Sequence, residues 1–423
     1  MYSEIKLISK VKAQITKFSH KVSRSFKKPK GKFIHQMIYG IQAAKDVKLS
    51  NIARALNEDI SLIKTECRLS RQISREDFSE QLNEEIIKYG AMKIRKDSVI
   101  AVDLSDISKS YANKMPYLAW VWDGSKKEKR RGYWILEIIG ANIDGYELTP
   151  LYSELYSQKA QGFRSENFQI FKGIDRVINR IGTKGIYVID RGGDRKVIFV
   201  GLLERSLRFV IRMLGKRLFI VEDGKKLKTK SIAYRYNCPY QVELCIRDKD
   251  DTLKKRKVHL GSVRVKFPFF NNQWFYLLII KGKGKEPIVL LTTEEIKDEK
   301  DALRVLEIYL TRWRCEESFR FIKQGYNLED IRLLTYEGLR NIVALVHAVF
   351  YFLSVELGRN LKLSILLKKI YEKAKRFFQI PRFKQYAINE GIHRLLFGKK
   401  FNTAPPKKSK FIQPALPFFS ESF

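Results

Sequence analysis

The sequence predicts an α/β protein in which a layered core is interrupted by a strand-rich insertion and bracketed by helices. Between about residues 97 and 213, β-rich runs and amphipathic stretches follow in the order β-β-β-α-β-α-β, which a layered α/β domain accommodates. From 214 to about 293 the chain holds short β-rich runs divided by lysine-rich turns. Before 96 and after 294, apolar residues recur at helical spacing.

Residues 1–95 carry few strand signals and are expected to form a helical, DNA-binding N-terminal domain. Within it, LSNIARALNEDISLIKTECRLSRQI (49–73) has apolar positions at helical spacing around a break at Asn57 to Ile60, the pattern of a helix-turn-helix. A plain helical hairpin packed on the next domain gives the same pattern, and the basic surroundings favour DNA contact. The first part of the core spans 96–213. SVIAVDLSD, GYWILEIIGANI and YELTPLYSEL predict three strands in succession, each bounded by Gly, Asp or Lys-rich turns. SENFQIFKGIDRVINRIG (165–182) predicts an amphipathic helix, GIYVID (185–190) a buried strand, DRKVIFVGLLERS a helix and RFVIRM a strand. The inserted β-domain, 214–293, contains QVELCIR, SVRVKF and QWFYLLII. A long helix is predicted from near Lys297, within the second part of the core at 294–358. Residues 359–423 are a helical C-terminal region and a Pro, Lys and Phe-rich tail expected to order only against a partner.

Composition narrows the function. Lys and Arg number 82 against 46 Asp and Glu, a net charge of +36 spread in clusters such as KKPKGK, KKEKRR, KGKGK and PKKSK, so a polyanion is the natural partner. The longest apolar stretch, Ile342 to Leu353, contains His347 and is short of the roughly 18 residues a membrane span needs, so it is expected to be a buried core helix. The N-terminus mixes charged and apolar residues without a signal-peptide block, which points to the cytoplasm. Four cysteines without a CxxC and five scattered histidines suggest neither a disulfide framework nor a zinc site.

The most specific pattern is YLTRWRCEESFRFIK (309–323). At about 100° per residue, Tyr309, Arg312, Glu316 and Lys323 fall within roughly 60° of one another, beside an apolar flank of Leu303, Leu306, Leu310 and Phe321. A solvated face with Glu316 neutralised by its basic neighbours would be the plain explanation. Two aspartates add to it: Asp103 ends the apolar run Val99–Val102, and Asp190 ends Ile186–Ile189. Each alone could be a strand-ending turn residue. Carboxylates from two strands and a helix gathered together would repel one another unless hard divalent cations, Mg²⁺ or Mn²⁺, lay between them, and two such ions suit phosphodiester displacement.

Together, VIAVDLSD, YVIDRGGD and the Y-x2-R-x3-E-x6-K spacing of residues 309–323 resemble insertion-sequence DDE transposases of the group that includes the transposase of transposon five. The resemblance covers roughly residues 95–345. It implies an RNase H-like core, a mixed sheet flanked by helices, with a β-strand insertion between the second Asp and the Glu. By position, Asp103, Asp190 and Glu316 become the metal-binding catalytic trio with two Mg²⁺ or Mn²⁺ ions per active site. Tyr309, Arg312 and Lys323 become holders of DNA phosphates. Arg212, in FVIRM, matches a family arginine with a DNA-contact role; a strand-end surface charge is the alternative. Trp274 lies where some relatives stack an extruded base, although its apolar neighbours also fit a core tryptophan. Asp106 and Asp194, near neighbours of the chosen aspartates, are alternatives within one register error.

The resemblance further implies cut-and-paste transposition: metal-dependent cleavage at terminal inverted repeats, strand transfer into target DNA, and a homodimer in a two-end complex with double-stranded DNA and no membrane. A nuclease or resolvase on the same core, or a non-enzymatic DNA-binding protein derived from a transposase, are the rival readings.

Overall fold

The structure is a computed structural model that describes residues 4–109, 112, 114–124, 127–143, 147–247, 253–270, 273–282, 284, 286–373 and 384–397. The tail with PKKSK lies outside the described residues. Five helices come first: α1 (Glu4–Val22), α2 (Lys28–Ala44), α3 (Leu49–Leu56), α4 (Leu62–Ser74) and α5 (Ser79–Ala91). Four strands and a helix follow: β1 (Val99–Ser108), β2 (Ala119–Asp123), β3 (Glu128–Ala141), β4 (Leu148–Tyr156) and α6 (Glu166–Ile181). Next are β5 (Ile186–Ile189), α7 (Lys196–Glu204), β6 (Arg208–Arg212), β7 (Leu218–Val221), β8 (Lys226–Lys228) and α8 (Thr229–Arg235). The strands β9 (Tyr240–Arg247), β10 (Leu253–Lys266), β11 (Trp274–Lys281) and β12 (Ile288–Thr292) precede α9 (Glu299–Gly325), α10 (Tyr336–Tyr351), α11 (Arg359–Lys373) and α12 (Gln385–Phe397).

Two compact units partition the described chain. The first comprises Met1–Ile94, Val102–Gly182 and Arg314–Asn402, the second Arg95–Ala101 and Thr183–Trp313, so the chain changes unit within β1 and within α9.

In the first unit the sheet order is β2-β3-β1, with β4 on the far side of β3. Every residue of β4 is buried, because α5 and α10 pack against it and α6 also lies on it. Helix α6 forms where the sequence signals it: the Ser165 hydroxyl accepts from the Phe168 N–H at 3.1 Å, and Gly182, at φ +64°, ends it. The N-terminal helices are not a free-standing module, since α10 packs on α2, α4 and α5, and α12 packs on α2. The paired helices α3 and α4 meet at Asn57, a left-handed residue at the expected break. Residues 336–356 are long and apolar enough to span a membrane, but most of that stretch is buried inside the protein, as a core helix is.

In the second unit the order runs β1-β5-β6-β12-β11-β10-β7-β8, with β9 also on β10. The first three residues of β1 run parallel to β5, and β5 runs parallel to β6; both β5 and β6 are apolar runs of the kind a strand covered on both faces requires. Beyond β6 every pairing is antiparallel. The strands of the expected insertion therefore continue the core sheet through β12, where Leu291 pairs with Ile211, and do not form a sheet of their own. Phe199, Phe209, Phe267 and Phe275 pack ring on ring beneath it, with centroids 5.0 to 6.2 Å apart. The result is a mixed α/β protein. Among the described residues four elements, β2, β7, β8 and α8, were not predicted; each is seven residues or fewer, too short to show a period.

Candidate active site

In the second unit, Asp190 follows the buried strand β5 and caps the single 3-10 turn Arg191–Gly193, its Oδ1 accepting from the Gly192 N–H at 2.7 Å. Its neighbour Asp194 is differently employed. Asp194 Oδ1 accepts from Arg217 Nε at 2.5 Å, Oδ2 accepts from the Leu214 N–H at 2.8 Å, and the side chain is 3% exposed. Both of its oxygens hold the chain together after β6, whereas Asp190 is half-buried at the strand end.

Arg212 ends β6 and is buried. Burial pulls its pKa below the ordinary arginine value; a hydrogen-bonded contact with Tyr309 opposes this, and the nearby charges of Arg191 and Arg312 push further down. Tyr309 and Arg312 are each only 1% exposed, and the Arg312 guanidinium lies 5.7 Å from the Tyr309 ring. The solvated-face explanation of this half of the motif is therefore excluded. Two buried guanidinium groups, Arg212 and Arg312, thus lie beside the Tyr309 phenol, and the charge of Arg191 acts on Arg212; guanidinium groups are the donors that take a phosphate in a bidentate way.

In the first unit, Asp103 is half-buried on β1. Strands β1 and β3 are neighbours, and beyond the end of β1 the Lys109 N–H donates to the Arg131 carbonyl at 2.7 Å. Glu137 is 2% exposed, and its Oε1 makes no hydrogen bond. Burial, and then the Asp103 charge, push its pKa up to about 8, against the opposing pull of Lys323. Lys323 Nζ lies 3.5 Å from Asp106 Oδ1 and 3.4 Å from Glu329 Oε1. Asp106 Oδ2 also accepts from the Ser108 hydroxyl at 3.0 Å. Glu316 is half-buried on the same helix as Lys323.

Among the described residues no three carboxylate, imidazole or thiol groups are gathered closely enough to hold a metal ion. Trp274 opens β11 half-buried, with Lys266 Nζ 4.2 Å and the Arg264 guanidinium 4.9 Å from its ring centroid, so it is a basic-flanked surface tryptophan and not a core one. Sequence reasoning missed Glu137 and Arg191. A single acid inside the apolar run WILEIIG was the available signal for the first, and nothing local marked the second.

Residues 159–353 match the family model described as the transposase DDE domain, a span that includes Asp190, Arg212, Tyr309, Arg312, Glu316 and Lys323. The protein is a DNA transposase. As such it is a polynucleotidyl transferase and endonuclease of the DDE type, a class that works with divalent metal ions. The transposase is also similar to a cryo-EM structure of the piggyBac transposase synaptic complex with hairpin DNA, at TM-score 0.44 and 11% identity over 97% of this chain and 88% of that one.

Proposed function

We propose that this transposase cleaves DNA at the terminal inverted repeats of its element and joins the freed ends to target DNA, using an RNase H-like core and the Y-R-E-K helix. Asp103, Asp190 and Glu316 would hold two Mg²⁺ or Mn²⁺ ions. The chemistry of the donors supports this: all three are carboxylates, the hard oxygen ligands these ions prefer, and Glu137, whose Oε1 makes no hydrogen bond, is a further buried carboxyl that feels the Asp103 charge. When bound, the ions supply charge stabilisation for the attacking and leaving oxygens of phosphodiester displacement.

The observation that carries the reading is the burial of Arg312 and Tyr309 with Arg212 and Arg191 about them. Guanidinium groups held in place by packing lose little freedom when they take a phosphate, and so orient a strand. Lys323, paired with Asp106 and Glu329, would exchange those carboxylates for a phosphate when DNA arrives. The basic helices of residues 1–95 would recognise the element ends, and the working form would be a homodimer bridging two ends, in the cytoplasm. Trp274, between two cations, would contact DNA as well.

Asp103→Asn, Asp190→Asn and Glu316→Gln should each abolish Mg²⁺-dependent cleavage of end-containing duplex while DNA binding survives. Arg312→Ala and Lys323→Ala should slow cleavage and strand joining by at least tenfold with metal binding intact. Full cleavage by any of the three carboxylate variants removes that residue from the trio. Equal cutting of end and scrambled duplexes would point to a nuclease instead.

A further inference from the structure

The hairpin of β2 and β3 presents a surface that the catalytic residues do not use. Strand β2 alternates strictly: Ala119, Val121 and Asp123 are buried, whereas Trp120 is 59% and Trp122 51% exposed. Their cross-strand partners are both basic, Trp120 opposite Arg131 and Trp122 opposite Lys129, and both partners are exposed. The Arg131 guanidinium lies 5.8 Å from the Trp120 ring centroid. Beside Trp120 a cleft of about 460 Å³ is bounded by Tyr117, Leu118, Arg131 and Lys159, within the range of small-ligand sites.

We propose that this face is a binding site for the unpaired bases of a single DNA strand, stacked on Trp120 and Trp122, with Arg131, Lys129 and Lys159 neutralising its phosphates. Residues two apart on an extended strand rise from points about 7 Å apart, roughly the room one base needs between two rings. Edge strands are ordinarily blunted with charge, and two exposed tryptophans there form a sticky patch unless a ligand uses them. The positive partners select a polyanion over an apolar protein surface, and stacking selects unpaired bases over duplex, whose faces are hidden. The inference rests on the reading of this protein as acting on DNA and adds a second contact surface to it.

The test uses full-length protein and a fluorescent oligothymidylate, with a duplex of equal length as control. Trp120→Ala with Trp122→Ala should weaken oligothymidylate binding by at least roughly tenfold and leave duplex binding within about twofold, while the paired Phe variants keep most of the affinity. Arg131→Ala should weaken binding and lessen its salt dependence. If the double variant melts early, each single Ala variant carries the same expectation. Unchanged oligothymidylate binding in the Ala variants overturns the proposal. So does a change from dimer to monomer in sedimentation with oligothymidylate binding intact, which would make the face a contact between copies. Cleavage of end-containing duplex by the wild-type protein is measured alongside, so failure of this site (unchanged oligothymidylate binding in the Ala variants) and failure of the cleavage reading (no cutting by wild type) are told apart.

Discussion

Glu137→Gln tests the electrostatics of the first unit directly. The wild-type carboxyl is buried, and burial with the Asp103 charge pushes its pKa up to about 8, whereas in the unfolded chain it titrates near 4.3. A folded pKa above the unfolded one means that the native state holds the extra proton. The associated stability is whole below about pH 4.3 and is lost as pH rises to about 8. Between those limits the slope is about 1.4 kcal/mol per pH unit, so from pH 5.5 to 7.5 wild type should lose about 3 kcal/mol relative to the Gln variant. Gln keeps the shape and cannot ionise, and the difference between the two proteins cancels the pH response of the other charged groups. Urea unfolding of both, with chelator present, at half-unit steps from pH 5 to 9 provides the measurement. The gap should widen in favour of Gln and level off above pH 8. A constant gap across the range would show that Glu137 is ionised in the fold and would refute the reasoning.

Three further outcomes follow from particular contacts. Asp194→Ala leaves the Arg217 guanidinium without its carboxylate and should cost about 3 kcal/mol in urea melts, while the folded fraction still cleaves DNA; loss of cleavage at full stability would make Asp194 catalytic. His347, buried in α10, has its pKa lowered to about 3 by burial, so the native state excludes a proton that the unfolded chain takes up below pH 6.5. Stability should fall by about 2 kcal/mol between pH 6 and 4.5, and His347→Leu should remove that part of the acid sensitivity, read as the difference between the two denaturation profiles. A Cβ at Gly132 would lie 2.1 Å from the Ile107 carbonyl oxygen, so Gly132→Ala should force β1 and β3 apart and cost at least 1 to 3 kcal/mol, with thermal melts as the check.

What the sequence determined by itself was local. The periods that mark α6 and α9, the Ser165 cap, the apolar runs of β5 and β6, and the placement of Asp103 and Asp190 at the ends of such runs depend on residues within one turn or one strand of each other. The spacing of Tyr309, Arg312, Glu316 and Lys323 was legible for the same reason. Whether that stripe faced water was not, because burial is set by elements far away in the chain. Only the tertiary structure put Tyr309 and Arg312 out of solvent beside Arg212 and Arg191, and gave Asp194 to Arg217. The influence of Asp103 on Glu137 depends on β1 lying beside β3, and the joining of the inserted strands to the core depends on β12 meeting β6 across 76 residues or more. Strand pairing is a choice among distant partners of similar composition, and the energy that decides it comes from the packing of both faces, which no local pattern carries.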